Sequence, residues 1–155
     1  MKLIKFFGDK RVLLILMGLT ILIAGIWKLK NTSQREDGNW LEIGDKKILV
    51  EIAKTPAELS QGLSGREALG RNRGMLFVFP SVGRRPFWMK EMKFDLDFVF
   101  IKEGAVVDLV ESVPHPKNGE QPMVVGAKEA FDWALEIEAG TIERLGIKIG
   151  NEAKL

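Results

Sequence analysis

Between Arg66 and Lys93 the chain places seven cationic side chains, Arg66, Arg71, Arg73, Arg84, Arg85, Lys90 and Lys93, against two carboxylates, Glu67 and Glu91. Gathered on one rim, such cations bind a carboxylate, a phosphate or an acidic glycan. Dispersed over solvated loops, they have no specific ligand. Trp88 and Lys90 alternate with Phe87 and Met89 and share a strand face. An indole beside a cation at a cleft lip suits a sugar or aromatic ligand; the same spacing also fits a core Trp88 with Lys90 in solvent. Asp97 shares its face with Val99 and Ile101. A carboxylate among apolar neighbours lies at a strand end or pairs with an Arg or Lys, for instance Arg66. The ligand-binding candidates are therefore Arg66, Trp88, Lys90, Glu91 and Asp97.

Catalytic constellations are thinner. Ser64 in Gly62-Leu63-Ser64-Gly65-Arg66 misses the nucleophile elbow, because Arg66 occupies the second glycine position and a helical segment precedes the serine. A Ser64–Lys90 dyad or a Glu91/Asp97 acid pair would make a hydrolase, which stands as an alternative. His115 is the only histidine and lies between two prolines, and there is no cysteine, so no zinc site, thiolate chemistry or disulfide is expected. No phosphate-binding glycine loop or dinucleotide fingerprint occurs, and no cofactor is expected.

Short elements must position these side chains. Trp40–Ile43 and Lys47–Ala53 read as strands joined at Gly44-Asp45. Thr55-Pro56-Ala57-Glu58 is a capping box opening a helix of about two turns that stops near Gly62 or Gly65. The Gly- and Arg-rich stretch 62–74 is a loop, and Met75–Phe79 is a buried strand. Phe87–Lys90 is the next strand or the lip of a site. Leu96–Ile101 and Val106–Val113 are strands, and Pro114–Gly119 is a loop. Phe131–Glu138 alternates Phe131, Trp133, Leu135 and Ile137 against Asp132, Ala134, Glu136 and Glu138. Gly140–Gly146 forms one helical turn, and Ile147–Ile149 is read as a last short strand. Strands do not alternate regularly with helices, which argues against a doubly wound fold.

The N-terminus has a different character. Val12–Trp27 carries no charge and is flanked by Lys10, Arg11, Lys28 and Lys30. It is slightly short for a bilayer span, but snorkelling cations and Trp27 at the interface close the gap. The division expected is a basic head over 1–11, a transmembrane anchor or signal-anchor over 12–28, a polar linker over 29–39 and an extracytoplasmic domain over 40–155. The N-terminus is placed inside and the domain outside the cytoplasmic membrane, with secretion after signal cleavage as the alternative. From Asn31 onward seventeen basic face twenty acidic side chains. The basic balance of the whole chain thus belongs to the head, and nucleic acid is not an expected partner.

Five blocks, Gly62-Leu63-Ser64-Gly65-Arg66-Glu67, Gly74–Phe79, Phe87-Trp88-Met89-Lys90, Leu96–Ile101 and Leu135–Gly150, occur in an order that resembles domain of unknown function 192, an uncharacterised prokaryotic envelope family. Glu91-Met92 follows the Trp-Met-Lys block where many members carry Asn-Thr, and Asp95 stands where Pro is usual. The resemblance implies a fold and a location, and no activity. The expected fold class is α+β, mostly β: a compact, closed or nearly closed β-rich domain with two short helices, preceded by one N-terminal transmembrane helix. The expected function is binding of an anionic small molecule, glycan or envelope protein through a basic-aromatic rim, with membrane lipid met by the N-terminal helix. A structural or assembly role in the envelope is the third reading.

Overall fold

In a computed structural model of the chain, residues 38–155 are described. The expected head, anchor and most of the linker lie outside them. Among the described residues no helix is long and apolar enough to cross a membrane.

The first hairpin, β1 (Asn39–Ile43) and β2 (Lys46–Ala53), turns at Gly44, as the alternation predicts. α1 (Pro56–Gln61) then carries the chain across to β3 (Arg73–Gly83). β2 and β3 form the one parallel pair in the sheet, and a parallel pair needs such a crossover. The capping box closes α1 as read from the sequence. Thr55 Oγ1 accepts from the Glu58 amide at 3.3 Å, and Glu58 Oε2 accepts from the Thr55 amide at 2.9 Å. Replacing Thr55 with alanine is expected to cost about 1 kcal/mol in chemical denaturation.

β4 (Phe87–Trp88) leaves the main sheet and pairs with β7 (Val124–Val125). β5 (Leu96–Lys102), β6 (Ala105–Val113) and β8 (Phe131–Glu138) complete the sheet with β9 (Ala153–Lys154), and α2 (Thr141–Leu145) follows β8. The order is β6–β5–β8–β3–β2–β1–β9. The domain is mostly β, with two short helices and a sheet curled into a half-barrel. The last strand is not Ile147–Ile149. There the chain turns at Gly150, with the Lys148 amide held by Asn151 Oδ1 at 2.8 Å, and Ala153–Lys154 pairs with β1 instead.

Both faces of the sheet are covered. One packs Leu76, Val99, Ile101, Leu135 and Ile137 beneath Ile142 of α2. The other packs Met75, Phe77, Phe98, Phe100 and Ala134 beneath a second layer, made by Leu63 and Leu69 of the α1–β3 loop and by Phe87, Met89 and Val125 around the β4–β7 ribbon. This explains why Leu96–Ile101 is buried at every position, where a half-covered strand would alternate. Phe87 is the centre of the second layer, with its ring centroid 5.2 Å from Phe77, 5.6 Å from Phe98 and 5.9 Å from Phe100. Gly74 lets β8 approach β3: a Cβ there would meet the Leu135 side chain at 2.7 Å and the Glu136 carbonyl at 3.0 Å.

Candidate functional site

The second layer does not seal the sheet completely. Between the end of α1, Gly62–Ser64 and the Arg85–Trp88 segment lies a cavity of about 300 Å³. Its walls are the rings of Phe77, Phe79 and Phe87, with Leu63 and Met92 beside them. Trp88 also lines it and is 59% exposed, which suits an indole at the mouth. Gly62, at φ 50°, forms the C-cap of α1 and leaves room: a Cβ there would meet the Phe77 ring at 3.2 Å.

Two ionisable side chains line the cavity, Arg85 and Glu136. Arg85 is fixed in the wall. Its guanidinium lies 4.4 Å from the Phe79 ring centroid and donates to the carbonyls of Ser81 at 2.9 Å and Phe131 at 3.3 Å. Glu136 projects from β8 between Met75 of β3 and Phe98 of β5, its partners across the sheet. It is only 7% exposed, and among the described residues no hydrogen-bond donor or cation reaches its carboxyl group. Among the described residues no fully enclosed side-chain polar atom lacks a partner, so the Glu136 oxygens keep contact with the space of the cavity. Burial without compensation pushes its pKa up to about 8.

The five residues singled out by sequence fall in different places. Trp88 and Lys90 share the exposed face of their segment, as the alternation predicts, and Lys90 Nζ is 5.6 Å from the Trp88 ring centroid. Glu91 follows in a left-handed conformation, φ 59°, with its carboxylate 3.7 Å from Lys90 Nζ. Arg66 faces the neighbouring groove and grips Glu51 with both terminal nitrogens, at 2.5 and 2.7 Å, which holds the Glu51 carboxyl below its ordinary pKa. Asp97 is fully buried on the opposite face of the sheet from the cavity. It makes no ion pair with Arg66, contrary to the expectation. Its oxygens accept from the backbone amides of Ser112 at 2.8 Å and Ile142 at 2.9 Å, so it caps α2 from outside the helix.

The proposed dyad partners meet differently from a dyad. Ser64 Oγ donates to the backbone carbonyl of Lys90 at 2.9 Å, which ties the α1–β3 loop to the mouth segment. Lys93 pairs with Glu67, so part of the cation count is neutralised locally. His115 Nδ1 lies 2.6 Å from Asp95 Oδ1. Among the described residues no group of side chains could hold a metal ion.

Sequence reasoning missed Glu136 and the position of Arg85. The signal for Glu136 was present in its neighbours: Ala134 shares its face, and the β3 and β5 faces that meet it carry Met, Phe and Phe. A carboxylate opposite such residues is enclosed if anything covers the sheet.

Two solved structures share the fold. A protein from Sinorhizobium meliloti 1021, described as a transcription regulator, is 29% identical, with a TM-score of 0.66 over 74% of this chain and 91% of its own. A protein of unknown function from Novosphingobium aromaticivorans DSM 12444 is 26% identical, with a TM-score of 0.67 over 75% and 84%. No curated protein matches the chain. The model of one family, DUF192, described as "Uncharacterized ACR", matches residues 39–155, the whole of the folded domain just described, and the chain belongs to that family.

Proposed function

We propose that the chain is a membrane-anchored domain, held outside the cytoplasm by the Val12–Trp27 segment, that binds a small anionic molecule with an apolar body. The observation that carries the reading is the aromatic cavity of about 300 Å³, a volume typical of small-ligand sites, with convergent polar groups in its lining. Phe77, Phe79 and Phe87 enclose the body of the ligand and Trp88 covers it at the mouth. Arg85 in the wall and Lys90 on the lip favour negative charge. A nucleic-acid role, suggested by the description of the Sinorhizobium meliloti protein, has no support in the charges: Arg66 and Lys93 are taken by Glu51 and Glu67, and the chain from Asn31 onward is net acidic. The anchor rests on the uncharged run and its flanking cations.

The test uses anilinonaphthalene sulfonate, which combines an apolar aromatic body with one negative charge. The folded protein is expected to bind it saturably. Trp88→Ala should weaken binding roughly three- to tenfold, as loss of one aromatic contact implies, without lowering the melting temperature. Absence of saturable binding, or a Trp88→Ala variant that binds as tightly as the parent, overturns the reading.

The β4–β7 ribbon supports a second reading. Trp88, Met123 and Val124 are all exposed there, and the Met89 amide donates to the Met123 carbonyl at 3.0 Å. A patch of this kind beside Lys90 fits contact with an envelope protein. Cross-linking from position 124 in intact cells would capture such a partner, and dye binding would then be insensitive to Val124→Asp.

A further inference from the structure

The buried carboxyl group at the bottom of the cavity has no part in holding the fold together. Met75 and Phe98 flank Glu136 on the sheet, and Gly62 lies above it, with Oε2 3.9 Å from the position a Cβ would take; the remaining walls are mostly aromatic or aliphatic, with Ser60, Gln61 and Ser64 as the neutral polar side chains among them. From every element packed around the cavity, the only other ionisable side chain in the lining is Arg85. α1 contributes Leu59, Ser60 and Gln61, while its Glu58 is turned back into the capping box; Lys90 and Glu91 stand outside, facing each other.

Three ligand chemistries could satisfy such a carboxyl. An amine would form an ion pair, but both charges would have to be desolvated among phenylalanines. A neutral oxygen would accept the carboxyl proton in an ordinary hydrogen bond. A carboxylate would accept the same proton in a charge-assisted bond, shorter and about twice as strong. We propose that Glu136 is the specificity residue of the cavity and acts as a protonated hydrogen-bond donor that selects a small apolar monocarboxylate. This deepens the binding reading above and rests on it.

The protonation follows from place. An ionised Glu136 would be an unpaired buried charge, and burial keeps it neutral up to about pH 8. A ligand that needs the protonated form must lose affinity once Glu136 ionises. If only that form binds, apparent affinity falls roughly tenfold from pH 7 to pH 9. Benzoate stays ionised throughout that range, so the change belongs to the protein.

The experiment compares benzoate, benzyl alcohol and benzylamine with the full chain, by calorimetry and by displacement of anilinonaphthalene sulfonate, at pH 7 and pH 9. Benzoate is expected to bind most tightly, benzyl alcohol more weakly with the same pH dependence, and benzylamine least. Glu136→Gln keeps a donor but cannot titrate, and the pH dependence of benzoate binding should flatten. Preference for benzylamine, benzoate binding indifferent to pH, or an undiminished pH dependence in Glu136→Gln each overturns the selection of a carboxylate, while the cavity remains a binding site. If the dye binds saturably but none of the three displaces it at either pH, the selection of a carboxylate is overturned alone; if the dye itself does not bind, the binding reading fails and the inference fails with it.

Discussion

Asp97→Ala is expected to lower the stability of the domain by about 3–5 kcal/mol. Hydrogen bonds to a charged acceptor contribute about 1.5–3 kcal/mol each, and Asp97 accepts two, from Ser112 and Ile142. Alanine would leave the Ile142 amide buried without a partner and the part-buried Ser112 amide without its acceptor. The Ser112 amide belongs to a residue at φ 53°, a conformation that a side-chain-bearing residue keeps only when its surroundings enforce it. The Ile142 amide opens α2, whose N-cap is Gly140 and has no side-chain cap of its own. Asp97→Asn, which retains one acceptor oxygen, should lose less than half as much. Urea denaturation followed by circular dichroism measures both. A loss below about 1 kcal/mol for the alanine variant would mean that water or a local shift satisfies these amides, and that the carboxylate is not the bracket between β5, β6 and α2.

Glu136→Leu is expected to act in the opposite direction. Folding raises the Glu136 pKa from the ordinary 4.5 to about 8. At low pH the group is protonated in both states and its ionisation contributes nothing to the difference. As pH rises above 4.5 the unfolded chain releases the proton and the folded one keeps it, so stability declines by roughly 1.4 kcal/mol per pH unit until about pH 8, then levels off. Leucine removes that decline, and the variant should exceed the parent by a few kcal/mol at pH 8 and by much less at pH 4. The difference between the two pH profiles isolates Glu136 from groups of opposite sign such as Glu51 and Asp95, whose pKa values are lowered by Arg66 and His115. Parallel profiles would refute the raised pKa. On the binding proposal above, the leucine variant should be both more stable and unable to select benzoate.

The contrast between Asp97 and Glu136 also shows where sequence reading stops. Both lie in strands that local pattern identified correctly, and Thr55 and Glu58 announced α1 within a residue. Alternation tells which side chains share a face, but it is silent on whether a second layer covers that face. The β8 pattern therefore put Glu136 with the polar side chains, although the α1–β3 loop and the β4–β7 ribbon bury it. In the same way, a strand end or a cationic partner are the readings that sequence offers for Asp97, because its actual partners are backbone amides, which no motif marks. The cation count between Arg66 and Lys93 suggested one basic rim. Glu51, which lies upstream of the counted window, and Glu67 take up Arg66 and Lys93, and of the other five cations Arg85 lines the cavity and Lys90 lies beside Trp88 at its mouth.

The tail of the chain does more than complete a strand count. Ala153–Lys154 pairs with β1, while the neighbouring backbone bonds from Val106 to Asn151 and from Ala153 to Gly104 reach β6 and the turn before it. The two strands that would otherwise border the sheet are thus stitched together at one end by five residues. Open strand borders are where foreign chains add themselves. At that end the sheet offers no open border to a foreign strand, while β6 beyond Val106 pairs, among the described residues, with β5 alone.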